Sequence, residues 1–301
     1  MTRKVLVPFT DLEIPDDVEA AHYTGPPQEP TDLDDVEFYV LPYDFDPVNL
    51  ALAGRMPKLR TIQTLTAGYE HVLSGLPDSV TLCNARGVHD TSTAELAMTL
   101  ILASLRGIPE FTRAQDSGRW APTTRPALAD RTVLILGHGS IGKAVEARLA
   151  GFEADVIRVA RRAREGVHTM DELPELLPRA DVVVVLLPLT DETRGLVDAG
   201  FLARMKDGAL LVNVARGRIV QTDALLAELE SERLRAALDV TEPEPLPSHH
   251  PLWRAPGCLI SPHVGGPSTA FLPRARRLVN EQLARLAAGE PLANVVVRGA
   301  P

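Results

Sequence analysis

The sequence predicts an α/β protein whose middle section folds as a parallel, doubly wound sheet. Three observations predict it. From Thr132 onward, apolar strand-like runs alternate with helical stretches. Several of these runs, above all residues 181–187, are apolar enough to be buried on both faces, as strands of parallel sheets are. A G-x-G-x-x-G motif, with glycines at Gly137, Gly139 and Gly142, stands between one such run and a helix.

Bulk properties set the frame. The 301 residues suffice for two domains of ordinary size. Apolar and charged fractions of 45% and 24% are those of a globular chain. With 40 acidic and 31 basic side chains the net charge is -9, which argues against nucleic acid or an anionic membrane as the main partner. Only Cys83 and Cys258 are cysteines, in no C-x-x-C or His-rich pattern, so both read as buried small hydrophobes and no metal site is expected. The first apolar run, 5–9, is too short for a signal peptide and reads as a strand. No run approaches membrane-spanning length, and the expected compartment is the cytoplasm.

The elements follow in order. Residues 5–9, 36–41, 59–65 and 80–83 are strand candidates, and Pro26, Pro27 and Pro30 place a loop between the first two. A helix follows over 91–105, so apolar that it should be buried between domains or at a subunit interface. Strands are then expected at 132–136, 156–159, 181–187, 209–214 and 236–240, with a helix at 143–149 after the glycine loop. The last long helix spans 268–288, and 294–298 returns as a strand to the first domain.

Strand–loop–helix context turns the glycine motif into a dinucleotide site. Gly137 permits the tight turn, Gly139 lets the backbone approach a pyrophosphate, and Gly142 lets helix and strand pack closely. Free N–H groups and the helix dipole attract the phosphates. His138 inside the loop reads as a surface side chain. An NAD site usually carries Asp or Glu at the end of the second strand, on the ribose hydroxyls. Here that strand ends at Ala160, followed by Arg161, Arg162 and Arg164. Arginine pairs with a 2′-phosphate that a carboxylate would repel, which favours NADPH while leaving NADH open. A solvated basic turn is the bland alternative.

Three further segments end strands on the edge where ligands bind in such sheets. Arg216 directly follows the run 209–214, and its fork suits a carboxylate and an adjacent carbonyl. An interdomain salt bridge is the alternative. Asp239, Glu242 and Glu244 crowd the proline-stiffened end of the next strand, where a surface acidic turn is the alternative. His263, between Pro262 and the pair Gly265 and Gly266, is held on a tight loop and suits proton transfer. An arginine, a carboxylate and a histidine at successive strand ends point together to chemistry.

In the order and spacing of these motifs (the glycine loop, Val-Asn-Val-Ala-Arg-Gly, Leu-Asp-Val with Glu-Pro five residues after the Asp, Pro-His-Val-Gly-Gly) the sequence resembles the D-isomer-specific 2-hydroxyacid dehydrogenases over nearly its whole length. The resemblance implies two Rossmann-like domains, a doubly wound parallel-sheet cofactor domain at 96–269 inserted into a discontinuous flavodoxin-like substrate domain at 1–95 and 270–301. It implies hydride transfer between NAD(P)H and a small 2-keto or 2-hydroxy acid such as glyoxylate or hydroxypyruvate. Arg216 would bind the substrate carboxylate, His263 would exchange the proton, and Glu244 would hold His263. Glu242 also precedes a proline but lies only three residues after Asp239, so Glu244 is preferred. Ala67 and Gly68 would receive the substrate carboxylate on their backbone. Thr93, Ser140, Ile141, Leu187, Pro188, Thr193, Val214, Ala215, Asp239 and Gly265 would join the glycines, Arg161, Arg162 and His263 around the cofactor. Ala160 departs from the aspartate of many members, in agreement with the NADPH reading.

Domain closure and a homodimer built on the helix 91–105 are implied as well. Keto-acid choice would fall to residues 66–71, Trp120, Trp253 or a partner subunit. A non-catalytic dinucleotide sensor of the same fold is the main rival, and a methyltransferase with a similar glycine loop is a second. The retained Arg216, Glu244 and His263 weigh against both.

Overall fold

The computed structural model describes residues 2–44 and 46–299. In chain order the strands are β1 (Arg3–Val7), β2 (Val18–His22), β3 (Val36–Val40), β4 (Thr61–Gln63), β5 (Thr81–Cys83), β6 (Thr132–Leu136), β7 (Asp155–Val159), β8 (Val182–Val185), β9 (Leu210–Asn213), β10 (Arg235–Leu238), β11 (Cys258–Ile260) and β12 (Val295–Val297). The helices are α1 (Pro47–Ala51), α2 (Glu70–Leu73), α3 (Asp90–Arg106), α4 (Ile108–Asp116), α5 (Ser140–Leu149), α6 (Leu173–Leu176), α7 (Ala199–Ala203), α8 (Thr222–Glu230) and α9 (Phe271–Ala288). None of the helices among the described residues is long and apolar enough to cross a membrane. The chain divides into two compact units, Met1–His89 with Thr269–Pro301, and Asp90–Ser268. Residue 95, where the first domain is expected to end, lies inside α3, which belongs whole to the second unit.

In the first unit six strands form one sheet in the order β12-β5-β4-β3-β1-β2, parallel except that β12 runs antiparallel to β5. Period-2 alternation assigns its two faces. Val5, Val7, Phe38 and Val40 point to one core, which α9 covers with Ala275, Leu278, Val279 and Leu283. Leu6, Tyr39, Ile62 and Leu82 point to the other. Strand β2 escapes sequence reading because, as an edge strand, it buries only Val18. The proline loop at Pro26–Pro27 therefore follows β2, not β1. A fully buried polar clasp closes this unit. Gln282 Nε2 donates to Gln63 Oε1 (2.7 Å) and to Ala293 O (2.9 Å), while its Oε1 accepts from Ala293 N (2.9 Å). Gln282→Leu leaves buried groups unpaired, each costing about 1–3 kcal/mol. The urea midpoint of unfolding should fall accordingly, and an unchanged midpoint would refute this role.

The second unit holds a six-stranded, all-parallel sheet in the order β11-β10-β9-β8-β6-β7. Its strands are apolar at successive positions because both faces are covered. Leu134, Leu136, Val183, Val185 and Leu211 enter one core with α7 and α8. Val133, Ile135, Val182, Val184 and Val212 enter the other with α3 and α5. This accounts for the apolar character of α3. Ala94, Ala97, Met98, Ile101 and Leu105 lie in this second core, so much of the apolar surface read from the sequence is spent within the unit.

Both cysteines are free. Cys83 is fully buried, and burial pushes its thiol up to about 11 against a hydrogen bond from Gln282. Cys258 is only half-buried by exposed surface, a correction to the reading of both as buried, although burial still pushes its thiol up to about 12.

Candidate active site

The sheet of the second unit reverses its winding between β6 and β8, since β7 lies to one side of β6 and β8 to the other. Ligands bind outside the carboxyl ends of the strands at such a switch point. The loop from Gly137 to Gly142 leaves β6 there. A Cβ at Gly137 would stand 2.6 Å from the backbone carbon of Leu186, and Gly137 also has φ +113°, so no other residue fits. A Cβ at Gly142 would stand 2.5 Å from Gly137 O, which is why the helix start packs so closely. Around Gly139 the space is open, with nothing within 4 Å of where a Cβ would be. Gly139 caps α5 without a side-chain hydrogen bond. The first-turn N–H groups of α5, from Ser140, Ile141 and Gly142, have no intrahelical acceptor by helix geometry. An open approach and an uncapped, positive helix end fit a pyrophosphate.

The remaining cofactor candidates divide. Leu187 is buried, and Pro188 is exposed beside it. Thr193 Oγ1 donates to Pro188 O (2.7 Å) and accepts from Thr190 N (2.8 Å), so the hydroxyl shapes its own loop. Val214 and Ala215 are buried just past β9. Arg161 and Arg162 are exposed at the end of β7 and make no ion pair among the described residues. Arg164, grouped with them in the sequence, does something else. It bonds to His138 Nδ1 (2.8 Å) and to the His138 carbonyl. His138 itself is 7% exposed, its Nε2 lying 2.6 Å from Glu146 Oε2. The expectation of a surface histidine is thus wrong. Glu146 on α5 faces the loop, and sequence spacing alone does not show that the two meet. Its hydrogen bond with Arg158, opposed by partial burial and joined by His138, holds the Glu146 carboxyl below the usual range.

Three carboxylates crowd the end of β10 in the sequence, and the structure gives each a different task. Asp239, 3% exposed, accepts from Ser261 Oγ (2.7 Å), Val264 N (2.9 Å) and Gly265 N (2.9 Å). Its backbone oxygen accepts from His263 N at 2.8 Å. Asp239 therefore grips the histidine loop from beneath. That grip explains how His263 holds φ +55°, a left-handed backbone that costs a non-glycine residue of order 1–3 kcal/mol. Thr93 Oγ1 fixes the far side of the loop by donating to Gly265 O (3.1 Å). Glu242 is taken by Arg218 (3.0 Å). Glu244 is left for His263, with Oε1 2.5 Å from Nδ1. Preference for Glu244 over Glu242 as the histidine's partner agrees with this geometry. The pair is 39% and 38% exposed, and Nε2 has no partner among the described residues.

Arg216 follows β9. Asn213, wholly buried, donates through Nδ2 to Arg216 O (3.0 Å) and accepts from Ala215 N (3.0 Å), which locks the turn beneath the guanidinium. Asn213 thus positions the turn that carries Arg216. Its signal is an amide ending an otherwise apolar strand. Gly217 lies against the next loop, where a Cβ would stand 1.9 Å from Thr241 O. The loops bearing Arg216 and Glu244 thus pass in backbone contact.

In the first unit, Ala67 and Gly68 follow β4. Asn84 Nδ2 donates to Ala67 O and Thr66 Oγ1 to Gly68 O, both at 2.7 Å. Their own N–H groups have no partner among the described residues, as an anion-receiving turn requires. Trp253 is not at the ligand edge. It lies before β11, by the amino ends of the strands, and Trp120 is 95% exposed.

Comparison with known proteins bears on the family and the fold. Residues 98–265 match the family described as "D-isomer specific 2-hydroxyacid dehydrogenase, NAD binding domain". A glyoxylate reductase of Thermofilum pendens is 31% identical over 81% of this chain and 77% of its own length. Glyoxylate/hydroxypyruvate reductase B of Citrobacter koseri is 36% identical over 72% of each chain. Among solved structures, a D-isomer specific 2-hydroxyacid dehydrogenase of Xanthobacter autotrophicus in complex with NADPH and MES is 32% identical, with a TM-score of 0.80 over 99% of this chain and 98% of that one.

Proposed function

The chain belongs to the D-isomer specific 2-hydroxyacid dehydrogenase family and is a nicotinamide-dependent oxidoreductase; we propose that it reduces a small 2-keto acid, glyoxylate or hydroxypyruvate, and prefers NADPH. The observation that carries the reading is the clasp between Glu244 and His263, beside Arg216 on the neighbouring loop. A sensor of dinucleotides needs no proton donor.

When bound, a reduced nicotinamide supplies a hydride for the substrate carbonyl carbon. Everything else falls to the chain. Arg216 receives the substrate carboxylate through two parallel hydrogen bonds and places the adjacent carbonyl. In the first unit, Ala67 N and Gly68 N are a second pair of donors open to an anion. His263 delivers a proton from Nε2 to the alkoxide oxygen as it forms. Glu244 accepts from Nδ1–H, which fixes the ring and leaves Nε2 as the atom that gives up the transferred proton. Asp239 and Thr93 keep the histidine loop in register. Gly139, Ser140, Ile141 and Gly142 would hold the pyrophosphate, and Arg161 and Arg162 the 2′-phosphate.

Ala160 and the two exposed arginines support NADPH, as does the NADPH bound to the Xanthobacter relative. With glyoxylate, kcat/KM should be higher with NADPH than with NADH. Ala160→Asp should lower kcat/KM for NADPH about tenfold or more, since the added carboxylate repels the 2′-phosphate and competes with it for Arg161 and Arg162. Equal use of both cofactors by the wild type, unmoved by Ala160→Asp, would refute the preference. A homodimer is part of the reading, supported by the exposed Ile108 and Trp120 on and after α4. Light scattering should give twice the chain mass, and Trp120→Ser should weaken the association.

A further inference from the structure

A cavity lies in the second unit, at the amino ends of β10 and β11, on the edge opposite His263. It measures about 310 Å³, within the range of small-ligand sites, and is lined by Ser104, Glu110, Arg113, Arg125, Trp253, Arg254 and the first residues of β10 and β11. Four of its side chains are arginines, counting Arg235 at the start of β10. Among the described residues none of the four forms an ion pair with a carboxylate. Glu110 is the only acidic lining residue, and it pairs with none of them. Such an excess is unusual in a chain of net charge -9.

The arginines are also held in place. Arg235 donates to two backbone oxygens, Ser104 O at 3.5 Å and Gly208 O at 3.1 Å. Burial, with Arg131 and Arg125 nearby, pushes its guanidinium below the ordinary value, while Glu110 opposes this. Arg131 has its own partner in Asp181 (3.3 Å). The Arg125 guanidinium lies 5.7 Å over the Phe111 ring. It also fills the space above Gly107, where a Cβ would meet its Nε at 2.6 Å. Arg125 Nε and Ser104 Oγ are both shielded from solvent and have no hydrogen-bond partner among the described residues. A buried donor without an acceptor is destabilising, the more so when it is charged. An anion with several oxygens removes that cost for the whole cluster at once.

We propose that this cavity, lined by Arg113, Arg125, Arg235 and Arg254, binds a small polyanion carrying two or more carboxylate or phosphate groups, away from the catalytic edge. Binding there stabilises the folded unit and is independent of the cofactor reading. Calorimetric titration of the whole protein, with NADPH at saturation, tests it with citrate and with pyrophosphate as probes. One saturable site is expected for at least one probe, and the preferred probe tells carboxylate from phosphate. Arg125→Gln and Arg235→Gln should weaken it at least tenfold. The exposed Arg113→Gln and Arg254→Gln, which carry no folding risk, should weaken it severalfold, with glyoxylate turnover unchanged in all four. Absence of saturable binding by either probe overturns the proposal. So does binding that survives Arg113→Gln and Arg254→Gln, which would place the anion elsewhere, as on Arg216. Loss of the dimer in Arg125→Gln without any anion binding also overturns it, because the arginines would then serve carboxylates of a second copy.

Discussion

Replacing His263 by alanine is expected to lower kcat for keto-acid reduction by about 10²–10⁴-fold, the usual contribution of a positioned proton donor. NADPH affinity should stay close to that of the wild type. The reason lies in how little else the imidazole does. Its ring bonds only Glu244 among the described residues, at 2.5 Å, and is 39% exposed. The loop is gripped by Asp239 through backbone groups of residues 263, 264 and 265, and alanine keeps all of these. The glycine loop, fixed by contacts with Leu186 and by the packing of α5, is untouched. Steady-state kinetics with fluorescence titration of NADPH separates the two effects. A variant that turns over within a few-fold of the wild type would remove His263 from the chemistry, and one that loses NADPH binding would make its role structural.

The second large effect is expected from a single added methyl group. Gly217→Ala puts a Cβ 1.9 Å from Thr241 O, 2.2 Å from Thr241 C and 2.9 Å from Glu242 N. All three are backbone atoms, so no side chain can swing aside. Either the loop carrying Arg216 or the loop carrying Glu244 must move by an ångström or more. A misplacement of that size costs about 10²-fold in rate, and the overpacking costs roughly 1–3 kcal/mol of stability. Gly151→Ala is the control, because a Cβ there meets nothing within 4 Å. We expect kcat/KM of Gly217→Ala to fall by about 10²-fold or more, with a lower Tm, while Gly151→Ala stays near the wild type. A fully active Gly217→Ala would mean that the two loops do not act together.

Acid lability follows from the carboxylates of the second unit. Burial raises Asp181, but hydrogen bonds from Thr132 N, Lys206 and Arg131 outweigh it and hold the group below the usual carboxylate range. Glu146 is likewise lowered, chiefly by Arg158. A depressed folded-state pKa contributes stability above the unfolded-state value, and this is lost as pH falls through the folded one. Tm should therefore be flat near neutrality and fall below the ordinary carboxylate range, and Asp181→Asn should blunt that fall. An acid slope identical in Asp181→Asn would contradict the assignment.

Much of this was legible in the sequence because parallel strands buried on both faces leave long apolar runs. All the strands expected from 132 to 240 lie within two residues of those observed. Strand β2 was illegible because an edge strand buries too little to leave a pattern. The Glu244–His263 contact was reachable from motif order, since adjacent parallel strands deliver their following loops side by side. Glu146 under His138 was not, because it depends on where a helix face points after a turn. The roles of Asn213 and Asp239 were hidden for a related reason. Both bond to backbone groups of their neighbours, and backbone geometry carries no letter in a sequence. The four-arginine cavity gathers side chains from α4, the loop after it, β10 and the turn before β11, which are far apart along the chain.

A site that reduces a keto acid and one that only senses a dinucleotide differ in one observable, the consumption of the cofactor. Loss of NADPH absorbance in the presence of glyoxylate, hydroxypyruvate or phenylpyruvate, with the hydroxy acid quantified in parallel, tests the difference most directly. Sustained multiple turnover is expected with at least one of them, with one hydroxy acid formed per NADPH consumed and no consumption without keto acid. Tight NADPH binding with no oxidation by any of the three would contradict keto-acid reduction.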